Sequence, residues 1–114
     1  MAVNKIILTG RLTDDPEVRY TASEKPVANF SVAVDRPKRK DGEKETDFFK
    51  CIAWGPLAKV CGEYLKKGRL VAVEGRLQSR KYQDKQGLNR TATEIIASNL
   101  QMLDWGKKKQ ETEA

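Results

Sequence analysis

The stretch TDFFKCIAWGPLAKVCGEYLKKG, Thr46 to Gly68, holds the chain's one switch from strand to helix. From Thr46 to Trp54 the residues alternate. Phe48, Lys50, Ile52 and Trp54 fall on one parity and Phe49, Cys51 and Ala53 on the other, as a strand's period of two requires. Gly55-Pro56 stops the strand and opens a helix, because the fixed φ of proline suits a first helical turn. Leu57, Val60, Cys61, Tyr64 and Leu65 then recur at i, i+3, i+4, i+7 and i+8, an apolar stripe. Lys66 and Lys67 follow at the C-terminal end, where positive charge suits the dipole, and Gly68 reads as the residue just past the helix.

Upstream, Asn4 to Thr13 reads as strand one, with Gly10 marking a bulge or bend. Asp14-Asp15-Pro16 breaks it, and Glu17 to Tyr20 reads as a short continuation before a polar turn at Thr21 to Pro26. Strand two is Val27 to Asp35, with Ala28, Phe30, Val32 and Val34 on one face; Arg36 to Glu45 is a long charged loop with a turn at Asp41-Gly42. Downstream come strand four, Leu70 to Leu77, with Val71, Val73 and Leu77 on one face, a hairpin tip at Asp84 to Asn89, and strand five from Arg90 to Leu103. Three strands, one helix and two strands predict an all-β OB-fold, a five-stranded Greek-key barrel with one helix between strands three and four. A sandwich of the immunoglobulin type needs about seven strands and no central helix. The expected organisation is one domain, 1–105, and a short polar tail, 106–114.

With 114 residues there is room for one core. No apolar run approaches the ~20 residues that span a bilayer, and the N-terminus carries no apolar targeting segment, so no membrane partner is expected and the reading is cytoplasmic. Lys and Arg outnumber Asp and Glu 22 to 16, a net charge of +6 that favours a polyanionic partner. Histidine is absent, which removes the commonest general base and zinc ligand together. Cys51 and Cys61 are too few for a zinc site and read as buried reduced thiols. No catalytic residue, metal or cofactor is expected, and the chain reads as a binding module rather than an enzyme.

Parity selects the candidate site. Placing Lys50 inside would bury an unpaired charge, so Phe49, Cys51 and Ala53 fill the interior and Phe48 and Trp54 flank Lys50 outside. Exposed rings alternating with a cation resemble a base-stacking platform, although packing under a loop or against another subunit would also use them. Strand four repeats the pattern on an adjoining element: Arg76, Gln78, Arg80 and Tyr82 share a parity, Lys81 and Lys85 lie beside them, and no carboxylate intervenes before Asp84. In the charged loop, Arg36, Lys38, Arg39 and Lys40 are expected phosphate contacts, with the acidic half uninvolved. Stacking faces and flexible cations select no base, so an unpaired strand of any sequence fits better than a duplex.

From Asn4 to about Leu103 the chain resembles the bacterial single-stranded DNA-binding proteins. The match rests on NKIILTGRLTDDPEVRY, ANFSVAV, TDFFKCIAWG, EYLKKG, VEGRLQSRKY and TATEIIA taken together. The resemblance implies sequence-independent coating of single-stranded DNA in replication, recombination and repair, close to the nucleoid, by homotetramers that wrap it. It implies stacking by Phe48, Trp54 and Tyr82, and phosphate contacts by Lys50, Lys67, Arg80 and Lys81, with Lys5 and Arg76 as weaker candidates. Lys38 stands where the family often has a further aromatic. The family's Gly/Gln/Pro-rich linker and its acidic Pro-Phe tip, the part that recruits replication and repair enzymes, are missing from the sequence as it stands. That puts recruitment in doubt, and a short paralogue and a shortened chain both fit. A protein-interaction module on the same barrel is the competing class, with the aromatics serving a protein partner.

Overall fold

A computed structural model gives the structure of residues 2–37 and 40–104. Lys38, Arg39 and the 106–114 tail lie outside the described residues. The elements are β1 (Ile6–Leu12), β2 (Glu17–Tyr20), β3 (Pro26–Asp35), β4 (Thr46–Trp54), α1 (Pro56–Tyr64), β5 (Leu70–Gln83) and β6 (Asn89–Met102). The sheet order is β1-β5-β6-β4-β3-β2, and β1 also pairs with β3 through Arg11 and Leu12. Six strands rather than the expected five, with one helix, take an arrangement consistent with the OB-fold, and β3 pairs back to β1. Residues 17–20 do not continue β1. They form a separate strand, antiparallel to β3, so the helix falls between β4 and β5.

β1 must serve two neighbours, and Gly10 sits where it changes from one to the other. A Cβ at Gly10 would lie 2.2 Å from the Ala33 carbonyl oxygen, so the residue marks a bend at a close approach rather than a bulge. The register of β1 on β5 runs through it unbroken. The irregularity is on β5–β6, between Glu74 and Gly75, where a Cβ on Gly75 would meet the Ile96 carbonyl oxygen at 2.1 Å.

The core is built from the inward parities: Ala28, Phe30 and Val32 on β3, Cys51 and Ala53 on β4, Val71 and Val73 on β5, and Ile95 and Ala97 on β6, all buried. α1 closes onto them with Ala58 and Cys61, and Leu65 follows in extended backbone. The expected helical stripe is therefore displaced, because Val60 and Tyr64 are exposed while small Ala58 lets the helix approach. The helix ends at Tyr64, capped by the Leu65 N–H donating to the Cys61 carbonyl. Gly68, at φ 88°, turns the following Lys66–Arg69 segment instead of capping the helix, so Lys66 and Lys67 lie past the last helical turn. Leu77 has the inward parity yet is 42% exposed. β1 runs out opposite Gly75, with only Asn4 reaching on to the Leu77 backbone. Beyond that point β5 and β6 continue as a two-stranded arm, turned at Asp84–Leu88 by backbone bonds and by the Asp84 carboxylate accepting from Gln86 and Leu88.

Candidate nucleic-acid interface

The outer parity of β4 is as the alternation requires. Phe48 is 67% exposed, Trp54 is 44% exposed, and Lys50 stands between them with half its side chain in solvent. Tyr82 is 41% exposed on the β5–β6 arm, on a groove of about 430 Å³ that Lys81, Gln83, Asn89, Arg90 and Thr91 also line. Among the described residues these rings are joined as exposed large apolar side chains by Tyr20, Tyr64 and several aliphatics elsewhere on the surface.

The two cationic strips are not on adjoining strands, because β6 runs between β4 and β5. The parallel pairing of Cys51 with Ile95 sets Glu94 beside Lys50, and the antiparallel pairing of β5 with β6 sets it opposite Gln78. Glu94 is 2% exposed. Its Oε1 accepts from Arg80 Nε at 3.2 Å, its Oε2 lies 3.4 Å from Arg80 Nη2, and Lys50 Nζ stands 3.4 Å from Oε2. The guanidinium of Arg80 holds this carboxyl below the usual carboxylate range, with Lys50 adding to the effect. Arg80 is raised in turn, and its guanidinium lies 5.2 Å from the Tyr82 ring centroid. Lys50, Arg80 and Tyr82 are thus one connected group, joined by a carboxylate that parity along single strands did not reveal.

A second partner was also missed. Lys25, in the turn before β3, places its Nζ 5.8 Å from the centroid of the Trp54 ring. The pairing of Val27 with Trp54 is what brings that turn alongside the end of β4.

The remaining candidates separate by their partners. Arg76 lies on the same parity of β5 and donates to Gln78 at 3.1 Å. Lys81 is exposed on the arm. Arg36 donates from Nε and Nη2 to Asp47, both at 2.9 Å, and from Nη1 to Glu45 at 2.6 Å. This pairing lowers the Asp47 carboxyl and raises Arg36. Together with the Arg36 N–H on the Glu45 carbonyl and Thr46 Oγ1 on Asp35, it fastens the stem of the charged loop. Arg36, at the start of the loop, is therefore engaged with Glu45 at its end and with Asp47 on β4. Lys40 lies in the turn at the tip, exposed. Lys5 is paired with Glu74 at 2.9 Å, and Lys67 lies in the Lys66–Arg69 turn near Asp15 and Asp104, so neither joins the Lys50–Arg80–Tyr82 group.

Cys51 and Cys61 are both free and buried, as expected. Burial pushes the Cys51 thiol up to about 12 and the Cys61 thiol up to about 11. Among the described residues no group of three or more Cys, Asp or Glu side chains is arranged to hold a metal ion, and no helix is long and apolar enough to cross a membrane.

Residues 3–103 match the single-strand binding protein family, from the first strand to the end of β6. The chain belongs to that family. It is 45% identical over 105 residues to single-stranded DNA-binding protein 3 of Clostridium acetobutylicum, covering 91% of this chain and 73% of that protein. It is 43% identical over 111 residues to single-stranded DNA-binding protein 3 of Streptococcus agalactiae, covering 96% and 80%. The single-stranded DNA-binding protein of Halalkalibacterium halodurans is 45% identical over 103 residues, or 90% of this chain and 61% of that protein. The family match spans every strand that carries the face described above.

Proposed function

We infer that this chain holds single-stranded DNA on the face made by the outer side of β4 and the β5–β6 arm. Binding of single-stranded DNA is the family's activity, and replication and repair are its general setting. The observation that carries the placement is the exposed Phe48–Lys50–Trp54 row beside the Arg80–Tyr82 pair, cations and rings alternating on a sheet that one carboxylate ties together. Each base stacked on such a ring contributes about 1–3 kcal/mol, whichever base it is. Phe48, Trp54 and Tyr82 serve as the stacking surfaces. Lys50, Arg80, Lys81 and Arg76 serve as phosphate partners, with Lys25 added to them. Lys5, Arg36 and Lys67 take a lesser part, since Lys5 is matched by Glu74 and Arg36 by two carboxylates, whereas Lys50 and Arg80 share one, and Lys67 lies away from the group.

The chain works as a non-enzymatic coat on DNA in the cytoplasm, and it assembles with copies of itself into a homotetramer. Half-buried Ala72 on β5 and exposed Ile7 on β1 offer apolar surface for such contacts, whereas Ile52 lies within the Phe48–Lys50–Trp54 row. Anisotropy of labelled oligo(dT), against a matched duplex and with a parallel light-scattering mass, tests both statements. Tight, salt-sensitive binding of the single strand alone and a fourfold mass are expected. Equal affinity for the duplex would overturn the first statement, and a monomer mass the second.

A further inference from the structure

Beneath the cations of the proposed face lies a carboxylate that is almost wholly out of solvent. Glu94 is covered by the side chains it pairs with: the guanidinium of Arg80 from β5 and the ammonium of Lys50 from β4. Tyr82 lies over the same guanidinium, and Arg76, farther along β5, is bonded to Gln78, the cross-strand neighbour of Glu94. A buried charge persists only when it is paired and hydrogen-bonded, and here three contacts from two cations meet that need. The two cations therefore present a net charge of one, not two, to whatever lies on the face.

We propose that Glu94 is a positioning residue that sets how much positive charge Lys50 and Arg80 offer to the phosphates of single-stranded DNA. It holds both head groups at the junction of the two strips and cancels one of their charges. Binding there leans on stacking more than on counterion release. A coat built this way grips bases of any sequence, yet remains removable from the strand. The proposal rests on the reading of this face as the DNA-binding face.

The decisive experiment compares Glu94→Gln with the unaltered chain in oligo(dT) titrations at several salt concentrations. Each phosphate neutralised on a single strand contributes a slope of about −0.7 to log K against log salt, so exposing one more charge should steepen the slope by about 0.7. From 50 to 200 mM salt the variant's advantage in affinity should accordingly shrink by about 2.6-fold. Glu94→Asp, which keeps the charge, should retain the original slope. A folded Glu94→Gln whose curve runs parallel to the original, or is shallower, overturns the proposal and leaves Glu94 a purely structural ion-pair member. Should Glu94→Gln not fold, a carbon-detected titration of the Glu94 carboxyl in the unaltered chain answers the question. Bringing phosphate onto Lys50 and Arg80 raises its midpoint in the oligo(dT) complex. An unchanged or lower midpoint overturns the proposal. If instead Trp54→Ala leaves oligo(dT) binding intact, the placement of the face is what fails, a separate outcome.

Discussion

The Lys25 ammonium stands over the Trp54 ring, 5.8 Å from its centroid, although the two residues are 29 positions apart, one in the turn before β3 and the other at the end of β4. A base that stacks on Trp54 arrives beside that ammonium and brings its phosphate within reach. Replacing Lys25 by Ala should weaken oligo(dT) binding and flatten its salt dependence by about 0.7 in slope, the share of one phosphate contact. Titrations at three or more salt concentrations give the number directly, and an unchanged slope would show that Lys25 only covers the ring.

Trp54 itself should matter through its face rather than its charge. Trp54→Ala is expected to cost about 1–3 kcal/mol of binding with the salt slope preserved. Anisotropy of a labelled oligo(dT) reads this without relying on tryptophan emission, which Trp105 also contributes. Loss of thermal stability with affinity retained would instead mark the ring as a packing element.

Arg36 and Lys81 should part company. Arg36 is held by Asp47 and Glu45, whereas Lys81 stands exposed on the arm. Lys81→Ala should flatten the salt slope by about 0.7, and Arg36→Ala should leave it nearly unchanged while loosening the loop stem. Equal effects of the two would mean that DNA displaces the carboxylates from Arg36.

Gly10 cannot carry a side chain without moving backbone. A methyl group there meets the Ala33 carbonyl oxygen at 2.2 Å, so Gly10→Ala should lower unfolding free energy by about 1–3 kcal/mol or more. Urea unfolding measures it. A neutral result would mean that β1 can part from β3 at little cost.

The thiols give a pH signature. In the unfolded chain Cys51 and Cys61 ionise near the ordinary value of 9.0, but in the fold burial holds them protonated to about 12 and about 11. Between those limits the native state binds more protons, so stability should fall as pH rises above about 9. Below pH 9 the thiols contribute no slope. Melting temperatures from pH 8 to 11, compared with Cys51→Val, isolate the effect, and iodoacetamide at pH 8 should label neither thiol until the protein unfolds.

The parts of the site that could be read along the chain are those that one strand decides. Lys50 cannot be buried alone, so the parity of β4 follows, and with it the exposure of Phe48 and Trp54. The single helix and its start likewise follow from local signals such as Gly55-Pro56, whereas the separate strand at 17–20 does not. What could not be read depends on which strands meet. Glu94 reaches Lys50 only because β4 and β6 pair in parallel across 44 positions, and Lys25 reaches Trp54 only through the β3–β4 register. Leu77 kept its inward parity but lost its cover where β1 ends, a fact about the length of a neighbour. On α1, Ala58 was invisible to a pattern built from larger apolar residues, and together with Cys61 it seats the helix.

The fastened stem between Asp35 and Asp47 separates the charged segment from the sheet that it joins. Arg36, Thr46 and their carboxylates hold the two ends of the charged segment together, at the point where β3 and β4 begin to pair. Closing a flexible loop twice as long adds only about 0.6 kcal/mol of entropy cost. Changes of length or charge between Arg36 and Glu45 are therefore expected to leave the stability of the core almost unchanged, which urea unfolding of a lengthened variant would measure. The strands that carry Phe48 and Trp54 should then keep their pairing when that segment is changed.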